Sequence, residues 1–261
     1  LTPERGKETK GRYDSFIPGF HGVRESLIHA PQWIEALWVA QDKRSKRAEE
    51  IIQLAEKSRI PVVYKKTAQL TSLFPHLAHQ GLVAVARRFQ HTDLTHLIEV
   101  AKLHKEKTLV IAADHITDEG NLGALIRTGA FFGAHGLILP KDRSAGVTPN
   151  VLKRASGAHL YLPIARVVNL GRALDQMKKA GIWVVGSAGK GPVTIYQFDW
   201  DRDLVLVMGS EQRGLSRSVL GRCDQVVRIP SPQAVESLNV SVACGTVLSE
   251  ILRQRRWERE G

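Results

Sequence analysis

Thr108 to Gly136 reads TLVIAADHITDEGNLGALIRTGAFFGAHG, and the fold follows from how its halves are taken. TLVIAA is an unbroken apolar run of strand length. After a polar turn, Leu122, Leu125, Ile126, Gly129 and Gly133 recur at helical spacing, so the stretch is a buried strand feeding a helix. The alternation continues outward: GLILP then NVLKRASG, LYLPIA then NLGRALDQMKKAG, WVVGSA, LVLVMG, QVVRIP and finally SLNVSVACGTVLSEILRQRR. Strands of that kind call for an α/β fold with a mostly parallel sheet covered by helices on both faces. Ligands in such sheets bind at the carboxyl ends of strands.

Toward the amino terminus the same logic describes a smaller α/β domain. LTPERGKETKGRYDSF is polar and basic, and residues 1–15 are expected to form a flexible arm. GFHGVRESLIHA has helical spacing, ALWVA and PVVY are short strands, and RSKRAEEIIQLAEKS places Ala48, Ile51, Ile52 and Ala55 on one helical face. TAQLTSLF and LVAVA complete a domain over 16–87. Residues 88–107 are expected to be a linker with the next domain's first helix, and 108–261 the second domain.

The 261 residues, 43% hydrophobic and 24% charged, suffice for one large or two modest globular domains. Lys and Arg number 37 against 26 acids, a net charge of +11 with a pI near 9.9, which points to a polyanion such as nucleic acid. The residues through Gln90 carry +6 and the rest +5, so both domains are basic. Cys223 and Cys244, without CxxC or paired histidines, indicate neither a zinc site nor a disulfide framework. No apolar run approaches the ~20 residues that cross a bilayer and no signal-type segment opens the chain, so a cytoplasmic protein is expected.

Two nucleotide fingerprints are excluded. GNLGALIRTG spaces its glycines too widely for the dinucleotide turn G-x-G-x-x-G, and GSAGKG lacks the P-loop spacing and hydroxyl. Three polar stretches after apolar strands stand out instead. At the first, Asn121 is an N-cap or a ligand donor, and Gly123, one turn before Arg127, clears space for an approaching group. VLVMGSEQRGLS sets Glu211 between Gly209 and Gly214. IPSPQAVESLNVSVACG leads into a helix whose start carries Ser237 and Asn239, Ser237 reading most simply as its cap. Together they allow one composite site.

These stretches resemble the three motifs of the SpoU (TrmH-type) branch of the SPOUT RNA methyltransferases: Asn121-Leu-Gly-x-x-x-Arg127, Gly209-Ser-Glu211-x-x-Gly-Leu, and Ile229-Pro-x(6)-Ser237-Leu-Asn239-Val-Ser-Val-Ala. The likeness runs in order from about Leu109 to Arg255. KDRSAGVT, ARVVNLGRAL and IWVVGSAGK are most similar to the subgroup that methylates guanosine 2'-hydroxyls of 23S rRNA, whose amino-terminal domain resembles ribosomal protein L30e.

The resemblance implies a trefoil-knotted catalytic domain, S-adenosylmethionine as cofactor, an RNA substrate and a homodimer, with no metal. It assigns Gly209, Ile229, Leu238 and Ser187 to the methyl donor, and Arg127, Asn121, Glu211, Ser237 and Asn239 to the reaction site. Arg24, Lys43, Arg44, Lys46 and Arg47 would grip RNA phosphates, or form a solvated helix face. Arg127 is either a base or a cation that steadies a developing alkoxide. The sequence departs from the family at Asp118-Glu-Gly-Asn121, where a proline is usual, at Gln212-Arg213, and at Ser231-Pro232-Gln233. Methylation of tRNA, or of an rRNA adenosine, is the alternative within the class. A non-enzymatic RNA-binding factor is the alternative outside it.

Overall fold

The computed structural model describes residues 16–29, 31–42, 45–75, 79–86, 89–210, 213–232 and 237–257. The expected arm over 1–15, together with Lys43, Arg44, Glu211, Gln212 and Gln233, lies outside the described residues. The chain divides into two compact units, one running to Phe89 and including 147–157, the other comprising 90–146 and 158–261.

In the first unit β1 (Phe16–Pro18), β2 (Ile34–Ala40), β3 (Val62–Lys65) and β4 (Leu82–Ala86) form a sheet in the order β1-β4-β2-β3. The β2–β3 pair is parallel and the others antiparallel. Helices α1 (Phe20–His29) and α2 (Lys46–Lys57) supply the core on one face, through Phe20, Val23, Leu27, Ala48, Ile51 and Ala55. Ser45 caps α2 by accepting from the Ala48 amide at 3.1 Å. The short α3 (Thr67–Leu73) contributes Leu70 to a second cluster with Phe74 and Val83, against which Phe16 and Trp38 pack.

The second unit is built on seven parallel strands: β5 (Leu109–Asp114), β6 (Gly136–Pro140), β7 (Ile164–Val167), β8 (Trp183–Ser187), β9 (Val193–Thr194), β10 (Leu204–Gly209) and β11 (Gln225–Arg228). Their order is β7-β6-β5-β10-β8-β11-β9. The chain winds from β5 outward to β7, then returns to the far side of β10, so β5 and β10 flank the point where the winding reverses. Every residue of β5 is buried, as a strand covered on both faces requires. Val110 and Ala112 pack in one core with Leu97 and Ala101 of α4 (Leu94–Leu103) and with Leu174 and Met177 of α7 (Leu170–Lys179). On α5 (Glu119–Phe131), Gly129 lies so close to the sheet that a Cβ there would meet Ile111 at 2.7 Å. The long α9 (Val240–Trp257) packs on α5, its Gly245 facing Thr128.

Arg255, near the end of α9, donates to the carbonyls of Lys107, Thr108, Trp200 and Arg202. It thereby fastens α9 to the segments that lead into β5 and β10. Trp200, fully buried, donates its indole N–H to Ile195 O at 2.7 Å.

The structure departs from the sequence expectations at three elements. LYLPIA is not one strand: residues 158–160 make a 3₁₀ turn and pairing starts at Ile164, because Pro163 has no N–H for the ladder. The two-residue β9 and the four-residue α8 (Arg217–Leu220) are additions, both too short to leave a periodicity in the sequence. Among the described residues no helix is long and apolar enough to cross a membrane.

Candidate active site

The carboxyl edge of the parallel sheet gathers most of the residues singled out in the sequence. Gly209 ends β10 and pairs with Asp114 at the end of β5, while Ser187 ends β8 between Met208 and Val227. Ile229 follows the last residue of β11. Ser187, Gly209 and Ile229 therefore sit at the ends of three adjacent strands, where main-chain groups leave the ladder and face outward.

Gly209 has a packing reason to be glycine. A Cβ there would lie 2.2 Å from the Gly214 carbonyl carbon, because Ser210 and Gly214 exchange backbone hydrogen bonds of 3.1 and 2.8 Å across a tight hairpin. Gly214 itself has φ of +62°, a conformation that favours glycine. Glu211 falls in the part of this hairpin outside the described residues.

The start of α5 differs from expectation. Asp118, not Asn121, is the N-cap, its carboxylate accepting from the Asn121 amide at 2.7 Å. A carboxylate placed three residues before that amide reaches it without help, so the Asn121 side chain can serve another partner. Asn239 is one, its Nδ2 donating to Asn121 Oδ1 at 2.8 Å. Asn239 also starts α9, its Oδ1 accepting from the Ser241 amide at 2.9 Å and the Ser241 hydroxyl at 2.7 Å. The capping role expected of Ser237 belongs to Asn239. Ser237 and Leu238 stand in the exposed approach to α9, Leu238 with 47% of its surface accessible.

Arg127 lies two turns into α5, exposed, and has no hydrogen-bond or ion-pair partner among the described residues. Gly123, one turn before it, is buried. The second unit thus presents an unpaired guanidinium on α5 and, at the start of that helix, oriented amides, groups suited to an anionic ligand.

Asp114 is a site residue that sequence reasoning misses. Its side chain is 1% exposed, and Oδ2 accepts from the Ser216 amide at 2.6 Å while Oδ1 lies 2.6 Å from His115 Nδ1. The signal is present as an acid closing an all-apolar strand, LVIAAD, a position that a solvent-facing carboxylate would not occupy.

Nucleophilic thiol chemistry is not supported. Burial pushes Cys244 up to about 12 and Cys223 up to about 11, so both stay protonated at neutral pH. Among the described residues no group of three or more potential metal ligands occurs.

In the first unit the three candidate cations among the described residues are unequal. Arg24 is held by Glu50 at 2.7 Å and lies 3.8 Å from Glu25. The Arg47 guanidinium stands 5.3 Å from the centre of the Phe20 ring. Lys46, at the start of α2, is exposed and has no such partner among the described residues.

Comparison with known proteins adds names to this geometry. Residues 108–249 match the model of the SpoU rRNA Methylase family, and residues 16–92 that of the RNA 2'-O ribose methyltransferase substrate binding domain. The 23S rRNA (guanosine-2'-O-)-methyltransferase RlmB of Coxiella burnetii is 38% identical over 92% of this chain and 95% of its own. That of Pseudomonas aeruginosa is 39% identical over 92% and 96%. Among solved structures, the SpoU methyltransferase AviRb from Streptomyces viridochromogenes in complex with AdoMet superimposes with a TM-score of 0.66 at 27% identity. That likeness covers 97% of this chain and 94% of AviRb.

Proposed function

The chain belongs to the SpoU rRNA methylase family and is an S-adenosylmethionine-dependent RNA ribose 2'-O-methyltransferase, and from that premise we propose that its substrate is a guanosine of 23S rRNA. The relatives named for that reaction span nearly the whole chain. In this reading the first unit holds structured rRNA, the second carries the reaction, and the protein works as a cytoplasmic homodimer. A trefoil knot is proposed as well; the insertion of β10 between β5 and β8, with the second and third motifs emerging at one sheet edge, is what supports it.

One observation carries the site assignment: the Asn239–Asn121 hydrogen bond joins the third motif to the first. The donor set suits S-adenosylmethionine. Close backbone packing at Gly209 leaves main-chain groups rather than side chains to face a ligand, and the exposed Leu238 offers apolar surface for a purine or ribose. Gly209, Ser187, Ile229 and Leu238 would hold the cofactor, which when bound supplies a methyl group activated by a sulfonium.

The chain's own residues must handle the hydroxyl. A ribose 2'-hydroxyl is a weak nucleophile and needs its developing negative charge stabilised while it is held in line. Arginine keeps its proton in proteins, with a pKa above ~12, so Arg127 acts as a cation, binding the adjoining phosphate and the incipient alkoxide while the hydroxyl proton is released to solvent water. Asn121 and Asn239 orient the ribose with amide donors and acceptors, and motif position assigns Ser237 and Glu211 to the same reaction. Excluding water strengthens each of these interactions.

The test is to incubate the protein with labelled S-adenosylmethionine and separate 23S rRNA and tRNA, then map the 2'-O-methyl. Label at one guanosine of 23S rRNA is expected. Label in tRNA or on an adenosine would overturn the substrate, and no transfer to any RNA would overturn the site assignment.

A further inference from the structure

Two hydrogen-bond junctions tie the motif regions together among the described residues, and only the Asn121–Asn239 one belongs to the reaction site. The other joins the strand end that precedes the first motif to the residue that follows the second. Asp114 closes β5 in register with Gly209, its carboxylate almost fully buried and bonded to the Ser216 amide at 2.6 Å. Ser216 is where the chain leaves the Ser210–Gly214 hairpin and enters α8. A carboxylate only accepts hydrogen bonds, so the 2.6 Å approach of Oδ1 requires the hydrogen on His115 Nδ1. His115 makes that bond from φ of +59°, an unfavourable backbone for a non-glycine residue. Strain at this residue and a buried acid at that strand end are both costly, and they meet at one hairpin.

We propose that Asp114 is a positioning residue for the methyl donor: through the Ser216 amide it fixes Gly214 and Leu215, and through the Ser210–Gly214 hydrogen bonds the end of β10, against the end of β5, with His115 holding its second oxygen. This rests on the reading that S-adenosylmethionine binds at the carboxyl ends of β8, β10 and β11. Asp114 touches neither donor nor RNA in this scheme. It sets the position of the backbone that does, and it ties that backbone to the turn leading into Asn121 and Arg127.

The decisive variant is Ser216→Pro. Ser216 already has φ of −65°, the value a proline ring imposes, and the ring carbon that replaces the amide hydrogen also pushes against the buried Asp114 carboxylate, so the change breaks this junction outright. Calorimetry should show S-adenosylmethionine binding weakened about tenfold, the effect of losing one hydrogen bond to a charged group. Amide exchange over 210–215 should quicken, and kcat at saturating donor should stay within about threefold. Ser216→Ala keeps the amide and should bind like wild type. Asp114→Asn keeps an acceptor and should also bind within about threefold, whereas Asp114→Ala should lose about tenfold.

Wild-type binding by Ser216→Pro, with hairpin exchange unchanged, overturns the proposal. Should that variant not fold, equal binding by Asp114→Ala and Asp114→Asn overturns it. Leu238→Asp, an exposed change, tests the underlying reading separately: if it binds the donor as wild type does, the donor site is elsewhere and that reading fails.

Discussion

The two units hold their functional side chains in opposite ways. At the sheet edge of the second unit, Asn121 and Asn239 are bonded to each other and Asp114 to Ser216, across 118 and 102 residues of chain, leaving Arg127 as a charge without a partner among the described residues. In the first unit Arg24 is paired and Arg47 faces a ring, whereas Lys46 meets solvent. The contrast teaches what each task demands. Reaction at one hydroxyl needs a geometry held to fractions of an ångström, while a grip on a polyanion needs only positive charge near phosphates. Single changes should therefore be severe in one unit and graded in the other.

The largest effect is expected from Arg127→Ala, which should lower kcat by about 10²–10³-fold, as loss of a group that stabilises transition-state charge does. S-adenosylmethionine affinity should be unchanged. Arg127→Lys retaining most activity would exclude a role for the planar fork of the guanidinium. Next, Asn239→Asp retains an oxygen to cap α9 but no donor for Asn121. Its melting temperature should stay near wild type while kcat falls by roughly tenfold, the consequence of removing one hydrogen bond; Asn239→Ala should add about 1 kcal/mol of destabilisation from the missing cap.

In the first unit, Lys46→Ala with Arg47→Ala should weaken RNA binding several-fold at physiological salt. The slope of log affinity against log salt should be shallower by roughly 1.4–1.8, at about 0.7–0.9 for each phosphate no longer neutralised. Turnover at saturating RNA should not change, and an unchanged salt slope would remove both residues from the interface. Smallest of all, Arg24→Ala should alter RNA affinity by less than about twofold, since an exposed ion pair already occupies its guanidinium. A large loss there would mean that RNA displaces Glu50.

Much of this is legible in the sequence because apolar periodicity records which face of an element is buried. The strands ending at Ser187 and Gly209 and the buried stripe of α5 follow from that alone. The motif resemblance then places Arg127, Asn121 and Asn239 in one site, which periodicity could not, since residues far apart in the chain meet only after the sheet has formed. The cap at α5 is ambiguous in sequence between two neighbouring polar residues, Asp118 and Asn121, each chemically able to cap. Which one does so depends on where Asn239 stands. Asp114 escapes notice for a related reason: an acid at the end of a strand reads as the first residue of a turn until the Ser216 amide is found beside it.

The clasp at Arg255 has a consequence for how the protein is made. Its four carbonyl partners lie in residues 107–108 and 200–202, and α9 also carries Asn239 to the site. A ribosome synthesising this chain delivers that helix after every strand of the sheet. The first unit is complete in sequence by Phe89 apart from residues 147–157 and can form much of its core during synthesis. The parallel sheet, dependent on distant pairings, has its last helix only once the segment around Arg255 has cleared the exit tunnel. A chain cut before Arg255 would lose the fastening of both central strands, at the edge opposite the site.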